Sequence, residues 1–291
     1  MNPIILQNVT RSFDGRRVLD GLSARAEEGR VIGLLGRNGE GKTTLFKVLL
    51  DLLAPDSGRV EVLGSRVDGS GAVRGRVGYV PERPAFHDFM SVGDALALRA
   101  RLFAGWDAAR AAALSRRLSL DPATRIAGAS KGTLGKLAWV CAAAHDPALY
   151  LLDEPTSGLD ALVRDELLTG LVSELGERGK TVLVASHRLD ELSGLLDEVW
   201  VLAGGRIAGV YDAERLRVDA RRVTGRPRAG FAAPAGAAPL ESEGPVGAWA
   251  VLDADARGKL LAAGLEGAAE EPLSPAETLK TLLSVHGGSH D

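Results

Sequence analysis

Cysteine is nearly absent from the 291 residues of this chain, and neither sign of charge dominates. The single cysteine, Cys141, excludes an internal disulfide, so a reducing cytoplasm fits the composition. A formal net charge of −3 removes the electrostatic reason to bind nucleic acid, because such binding needs a strongly basic surface. We therefore expect no nucleic-acid partner.

Long apolar runs are missing as well. No run approaches the roughly 18 to 20 residues that a transmembrane helix needs, and the N-terminal MNPIILQNVT lacks the basic and apolar regions of a signal peptide. We expect a soluble, cytoplasmic chain. Its 45% hydrophobic content suffices for one large α/β domain and a smaller unit.

A glycine-rich stretch, GRNGEGKTT from Gly36 to Thr44, stands between an apolar run at Val31–Leu35 and a helical pattern. Strand, glycine-rich turn and helix in this order are the context in which G-x-x-x-x-G-K-[ST] indicates a phosphate-binding loop. The alternative is a glycine-rich turn that binds no ligand.

The spacing of residues in this loop indicates the role of each. Glycines let the backbone N–H groups face a polyphosphate, and the helix N-terminus adds its positive end. Lys42 is then expected to reach the β- and γ-phosphates, and the Thr43 hydroxyl to hold Mg²⁺. The loop residues expected to bind nucleotide are Gly36, Asn38, Gly39, Gly41, Lys42, Thr43 and Thr44.

Carboxylates follow a second apolar strand, ALYLLDEP. Asp153 is placed to hold Mg²⁺, and Glu154, one residue further, to polarise the attacking water as a general base. The alternative is a pair of solvated carboxylates at a strand end. His187 ends the next apolar strand, TVLVASH, at the same sheet edge, where it either contacts the γ-phosphate or is structural.

The remaining pattern predicts an α/β fold around a mainly parallel sheet, with ligands at the carboxyl ends of its strands. Residues 84–145 are rich in Ala, Leu and Arg and predict an inserted helical subdomain. Its predicted helices are Val92–Phe103, Asp107–Leu118 and one from Lys131 to about Ala144. Two further helices are predicted, from about Leu162 to Gly176 and at Asp190–Leu196.

Beyond Tyr211 the composition changes. Arginines crowd between Arg215 and Arg228, and either a solvated linker or contact with anionic lipid explains them. AGFAAPAGAAP is linker-like; GAWAVLD then predicts a strand, and ADARGKLLAAG and SPAETLKTLLSV predict helices. We therefore divide the chain into a nucleotide-binding domain at 1–212 and, at 213–291, a linker with a small α+β extension.

These motifs resemble the ATP-binding subunits of ABC transporters over about residues 1–212. GRNGEGKTT is similar to their Walker A motif, LYLLDEP to Walker B and SGLD at 157–160 to the D-loop. The resemblance implies that Glu154 is the catalytic base and His187 the switch histidine. Phe13, which precedes the Asp14-Gly15 turn, lies where these proteins stack an aromatic ring on adenine.

The signature motif departs from the usual LSGGQ. It begins at Ser130, with Lys131 in place of the first glycine and Thr133 in place of glutamine. Similar lysine-containing signatures occur in an exporter-type subgroup. Ser130 as N-cap and Gly132 in the first turn still direct a helix N-terminus at an anion.

Glu82 is a second departure, because many family members have glutamine there. A carboxylate at this position is expected to contact Mg²⁺ or water near the γ-phosphate. The alternative is that Glu82 pairs with Arg83.

The resemblance implies an ATP-hydrolysing subunit that powers a separate transmembrane permease and is peripheral at the inner face of the membrane. The lysine-containing signature favours an exporter. A head-to-tail homodimer or heterodimer would hold ATP between Lys42 of one subunit and Ser130 of the other. The aromatics proposed to line a groove for the permease, or else to pack in the core, are Phe86, Phe89, Phe103 and Trp106. A soluble regulatory ABC-type ATPase is the alternative.

Overall fold

The computed structural model describes residues 2–155, 164, 172–186, 189–241 and 246–286, and the statements below concern these residues. The central sheet has the strand order β10-β9-β3-β8-β7-β6. Its strands pair in parallel, except that β10 is antiparallel to β9. The strands are β3 (Val31–Leu35), β6 (Val77–Val80), β7 (Leu149–Asp153), β8 (Thr181–Ala185), β9 (Glu198–Ala203) and β10 (Arg206–Asp212).

The inner strands β3, β7 and β8 are buried along their whole length. Continuous apolar strands are expected where both faces of a parallel sheet are covered. One face packs against helix α1 (Lys42–Leu49) and a smaller antiparallel sheet. This parallel arrangement confirms the predicted α/β fold.

The smaller sheet has the order β2-β1-β4-β5. Its strands are β1 (Ile4–Phe13), β2 (Arg16–Ala26), β4 (Ser57–Val62) and β5 (Ser65–Arg66). The predicted Asp14-Gly15 turn joins β1 to β2, and both residues have positive φ. Phe13 therefore lies at the end of a hairpin.

Three helices of the predicted insert are present within one residue of the predicted bounds. They are α2 (Val92–Leu102), α3 (Ala108–Arg117) and α4 (Lys131–Ala143). Each begins after a polar residue whose side chain accepts a backbone N–H of the first turn, which is why the chain starts a helix there. These caps are Ser91, Asp107 and Ser130.

Two predicted helices differ from expectation or are described only in part. Asp190–Leu196 is not an α-helix. A 3₁₀ turn at Leu189–Leu192 continues into a further turn at 193–195, where Ser193 and Gly194 favour turns over helices. The helix predicted from about Leu162 is described only as α5 (Val172–Glu177). His187 and the SGLD motif at 157–160 lie outside the described residues.

The arginine-rich run is not an unstructured linker. It forms α6 (Ala213–Asp219) and β11 (Arg221–Pro227). β11 is an inner strand of an antiparallel sheet with the order β12-β13-β11-β14. AGFAAPAGAAP forms the β11–β12 connection and enters β12 (Ala237–Leu240), so it lies inside the extension.

The predicted strand and helices of the tail are present as β13 (Gly247–Val251), α7 (Ala254–Ala262) and α8 (Pro275–His286). Sequence reasoning missed β14 (Leu265–Pro272). Residues of α8 join the same buried cluster as the central strands, and the Tyr211 hydroxyl lies 2.5 Å from His286 Nε2. Within the described part of the chain, none of the helices combines the length and apolar character that crossing a bilayer requires.

Candidate nucleotide-binding site

The glycine-rich loop connects β3 to α1, as its spacing predicts. Gly41 immediately precedes α1 and has φ +104°, a conformation that favours glycine. A Cβ at this position would lie 3.0 Å from the Val18 carbonyl oxygen. Glycine is therefore needed both for the turn and for the close approach of β2.

Lys42 folds back over this loop. Its Nζ donates to the carbonyl oxygens of Gly36 at 2.7 Å and Arg37 at 3.2 Å. Burial lowers the pKa of the Lys42 ammonium, while the nearby Glu154 and Asp153 carboxylates raise it. The side chain thus lies ready at the loop, held by backbone acceptors that a phosphate can replace.

A cleft of about 600 Å³ brings the predicted residues together. Its lining comes from the β1–β2 hairpin, the glycine-rich loop, and the segments after β6 and β7. The lining residues are Phe13, Val18, Asn38, Gly39, Gly41, Lys42, Thr43, Thr44, Glu82, Asp153 and Glu154. Gly36 is not among them, but its carbonyl holds Lys42.

Asp153 is 2% exposed, and its Oδ2 atom has no hydrogen-bond partner among the described residues. Burial raises the pKa of this carboxyl; the hydrogen bond from the Thr43 hydroxyl opposes that, and Glu82 and Glu154 add to it. A buried carboxylate with an unsatisfied oxygen is suited to a cation.

The donor set fits Mg²⁺ bound together with a nucleotide. The described residues hold no cluster of three or more His, Cys, Asp or Glu side chains that would bind a metal alone. Mg²⁺ commonly takes one or two protein oxygens and fills its shell with phosphate oxygens and water. Asp153 Oδ2 and the Thr43 hydroxyl are such oxygens.

Glu154 lies one residue beyond β7 in an unusual backbone conformation. Its φ is +45°, which non-glycine residues rarely adopt and which recurs at functional sites. Its N–H donates to the Ala185 carbonyl at 2.8 Å, which fixes the end of β7 against β8. At this strained residue the chain leaves the direction of β7, and the Glu154 side chain lines the cleft.

Glu82 fits both interpretations offered for it. It follows β6 and lines the cleft, and one of its oxygens lies 3.7 Å from Arg83 Nε. Both side chains of this pair are substantially exposed, so the ion pair itself contributes little. Glu82 therefore remains available to the cleft.

The signature residues lie elsewhere. Ser130 caps α4 by accepting the Thr133 N–H at 3.0 Å, as predicted, and Lys131 is the first helical residue. Among the residues that line the cleft, neither Ser130 nor Gly132 is found. Val18 does line it but was not predicted, since a single apolar residue in a strand carries no distinguishing signal.

A glycine-rich loop at a helix N-terminus, a lysine held over that loop and an Asp-Glu pair at the carboxyl end of another strand of the same sheet define a P-loop nucleotide-binding protein. The sequence profile of the ABC transporter family matches residues 19–157. ABC transporter ATP-binding protein YtrB of Bacillus subtilis is 31% identical over 216 residues, which cover 74% of each chain.

A further relative and a solved structure indicate the same family. Nod factor export ATP-binding protein I of Burkholderia lata is 36% identical over 211 residues, covering 70% of this chain and 69% of that one. The solved structure of an ATP-binding subunit of an ABC transporter has a TM-score of 0.67 at 28% identity, covering 74% of this chain and 92% of that chain. The chain belongs to the ABC transporter ATP-binding proteins and is an ABC-type ATPase.

Proposed function

We propose that this chain binds ATP with Mg²⁺, hydrolyses it and powers a separate membrane permease of an exporter. The observation that carries the proposal is the convergence of Lys42, Thr43, Asp153 and Glu154 on one cleft. Export is supported by the relatives named for Nod factor export. The chain is then peripheral at the inner face of the membrane, through its permease.

Each cleft residue has a distinct task. Lys42 exchanges its carbonyl partners for phosphate oxygens and neutralises their charge. Thr43 and Asp153 hold Mg²⁺, which when bound neutralises charge on the phosphates. Glu154 orients a water molecule and accepts its proton. His187 is proposed to contact the γ-phosphate.

Dimerisation is proposed because the signature helix does not line the cleft of its own chain. The N-terminus of α4 presents backbone N–H groups and a positive dipole end. Ser130 and Gly132 would complete the site of a second subunit, identical or different. ATP would then join the two chains, and hydrolysis would release them.

The permease is proposed to dock through a groove of about 370 Å³ beside the helical insert. Of the four aromatics suggested for this surface, Phe86 and Phe103 line the groove, whereas Phe89 is 72% exposed outside it and Trp106 packs against the core. The groove also carries Arg74, Arg83 and Arg99 and no carboxylate among its lining residues. Its partner is therefore an amphipathic helix with acidic side chains.

ATP hydrolysis by the purified full chain tests the enzymatic part. We expect turnover that requires Mg²⁺ and is lost in Asp153→Asn, while Asp146→Asn, at the opposite end of β7, retains it. Mg²⁺-independent turnover would contradict the proposal. Asp146 is a matched control because its partners are Arg110, Arg178 and Lys180.

Co-expression with a candidate polytopic permease tests the transport part. We expect co-purification in detergent, weakened by Arg99→Glu and unaffected by Arg206→Glu on the β10 edge. A complex that forms equally well with Arg99→Glu would exclude the groove. Failure to associate with any membrane protein would favour the soluble regulatory ATPase.

A further inference from the structure

An arginine lies against the aromatic ring at the mouth of the cleft. The Arg11 guanidinium carbon is 4.9 Å from the centroid of the Phe13 ring, within the range of a cation–π contact. Phe13 is 42% exposed and lines the cleft. One face of the ring is therefore covered by Arg11, while the ring is still open to the cleft.

Arg11 is itself held from behind. Its Nη1 donates to Asp56 Oδ1 at 2.9 Å and to the Ala54 carbonyl at 3.1 Å. The other oxygen of Asp56 accepts the Ser12 N–H at 2.7 Å. Asp56 thus binds both the Arg11 guanidinium and the backbone N–H of the residue between Arg11 and Phe13. These two hydrogen bonds constrain the position of the Arg11 side chain relative to the Phe13 ring.

The environment of Arg11 favours a contact with the ring. Its Nε is buried with no hydrogen-bond partner in the described part of the chain. A partly desolvated guanidinium interacts more strongly with an aromatic face than a fully hydrated one, and its planar shape allows stacking. The Asp56 carboxylate balances the charge on the far side.

We propose that Arg11 is a positioning residue for the nucleotide base. It stacks on one face of Phe13 and fixes the ring so that the opposite face receives the adenine. The proposal rests on ATP binding in the cleft, as proposed above. A ring held before the base arrives loses less conformational freedom on binding, and the affinity for the base rises accordingly.

The alternative is that Arg11 only ties β1 to the segment before β4. A ligand without a base separates the two explanations. Inorganic tripolyphosphate with Mg²⁺ engages the glycine-rich loop but has nothing to stack on Phe13. Loss of positioning should therefore weaken ATP and spare tripolyphosphate, whereas a distorted fold should weaken both.

The experiment measures dissociation constants of Mg-ATP and Mg-tripolyphosphate by calorimetry for the full chain. We expect Phe13→Ala to weaken ATP roughly tenfold, the range for losing one base stack. Arg11→Met should weaken ATP about threefold, leave tripolyphosphate and kcat unchanged, and raise KM. Arg11→Lys should recover part of the loss. Arg17→Met is the matched control, because that guanidinium pairs with Asp20.

A double-mutant cycle decides whether Arg11 acts through Phe13. In a Phe13→Ala background, Arg11→Met should cause no further loss of ATP affinity. The same threefold loss in that background, or an equal loss for tripolyphosphate, would overturn the proposal. If Phe13→Ala weakens ATP but Arg11→Met does not, only this inference fails. If Phe13→Ala has no effect, the adenine stacking on Phe13 that the family resemblance implies fails as well, while the proposed Mg²⁺-dependent hydrolysis of ATP is untouched.

Discussion

Carboxylates in the nucleotide cleft and in the C-terminal extension are held in opposite ways. Asp153 is buried with one unsatisfied oxygen, and burial raises its pKa. Glu277, at the start of α8, accepts hydrogen bonds from Ser274 and pairs with Arg222, which together lower its pKa to about 2. A carboxylate with satisfied oxygens holds the fold, and one left incomplete can receive a cation.

The same contrast holds for the arginines. In the extension, Arg228 pairs with Glu266, and Arg257 lies near Glu270. In the groove beside the helical insert, Arg74 and Arg99 line a surface without carboxylates among its lining residues. Composition alone therefore does not identify a binding surface; the arrangement of partners does.

The largest expected effect tests whether the two regions share one core. Leu282 of α8 is fully buried in the cluster that includes the central strands, and Leu260 of α7 in a cluster confined to the extension. Changing either leucine to alanine should lower the free energy of unfolding by about 2–5 kcal/mol. Leu282→Ala should destabilise the nucleotide-binding region too, whereas Leu260→Ala should not.

Urea unfolding, followed by loss of ATP binding, measures this difference. The midpoint for ATP binding should fall in Leu282→Ala and stay near that of the parent in Leu260→Ala. Equal midpoints in all three proteins would show that the packing of α8 does not contribute to the stability of the nucleotide-binding region.

The second prediction concerns the charge over the glycine-rich loop. Lys42→Ala removes a charge-assisted contact with phosphate and should weaken ATP roughly 10- to 100-fold. Lys259→Ala, which breaks an exposed pair with Asp255 in the extension, should leave affinity unchanged. Calorimetric titration of both variants with Mg-ATP checks this, and similar affinities would exclude Lys42 from the site.

The third prediction concerns acid stability. The pKa of Glu277 in the folded state, about 2, is below its ordinary value of 4.5. The contribution of the Glu277 carboxylate to the free energy of unfolding is therefore fully present above pH 4.5 and is lost as the pH falls from 4.5 towards 2. Glu277→Gln should lower the free energy of unfolding by about 1 kcal/mol at pH 7 and flatten its pH dependence in that window.

Asp153 should behave in the opposite way. Its raised pKa means that the charged form is disfavoured in the folded state, so stability falls as pH rises through the folded pKa. Asp153→Asn should accordingly stabilise the nucleotide-free protein at pH 7 while Glu277→Gln destabilises it. Urea titrations at pH 7 and pH 4 measure the free energy of unfolding of the two variants. A change of the same sign in both variants at pH 7 would contradict the contrast between the two carboxylates.

The smallest effect is expected at Lys131, on the first turn of α4. A cation there opposes the helix dipole, which is useful when the γ-phosphate of a partner-bound ATP lies opposite. In a Glu154→Gln background, Lys131→Glu should weaken ATP-induced dimerisation roughly threefold or more, with Lys136→Glu as control. Light scattering measures this; undiminished dimerisation would show that Lys131 faces solvent.

The sequence predicted the cleft better than the extension for a physical reason. The glycine-rich loop and the Asp153-Glu154 pair are local patterns whose chemistry dictates their spacing. β14 has the sequence LEGAAEEP and is exposed along almost its whole length, so no alternation marks it. β11 carries charges on an inner strand because partners on β14 and α8 pair with them, which no local pattern reveals.

Steady-state hydrolysis by Glu154→Gln tests the central claim most directly. The amide keeps the shape of the side chain but cannot accept a proton, so turnover should fall roughly 100-fold or more while Mg-ATP binding is retained. ATP-dependent dimers should accumulate at the same time. Turnover equal to that of the parent protein would contradict the assignment of Glu154, and with it the proposed mechanism of the cleft.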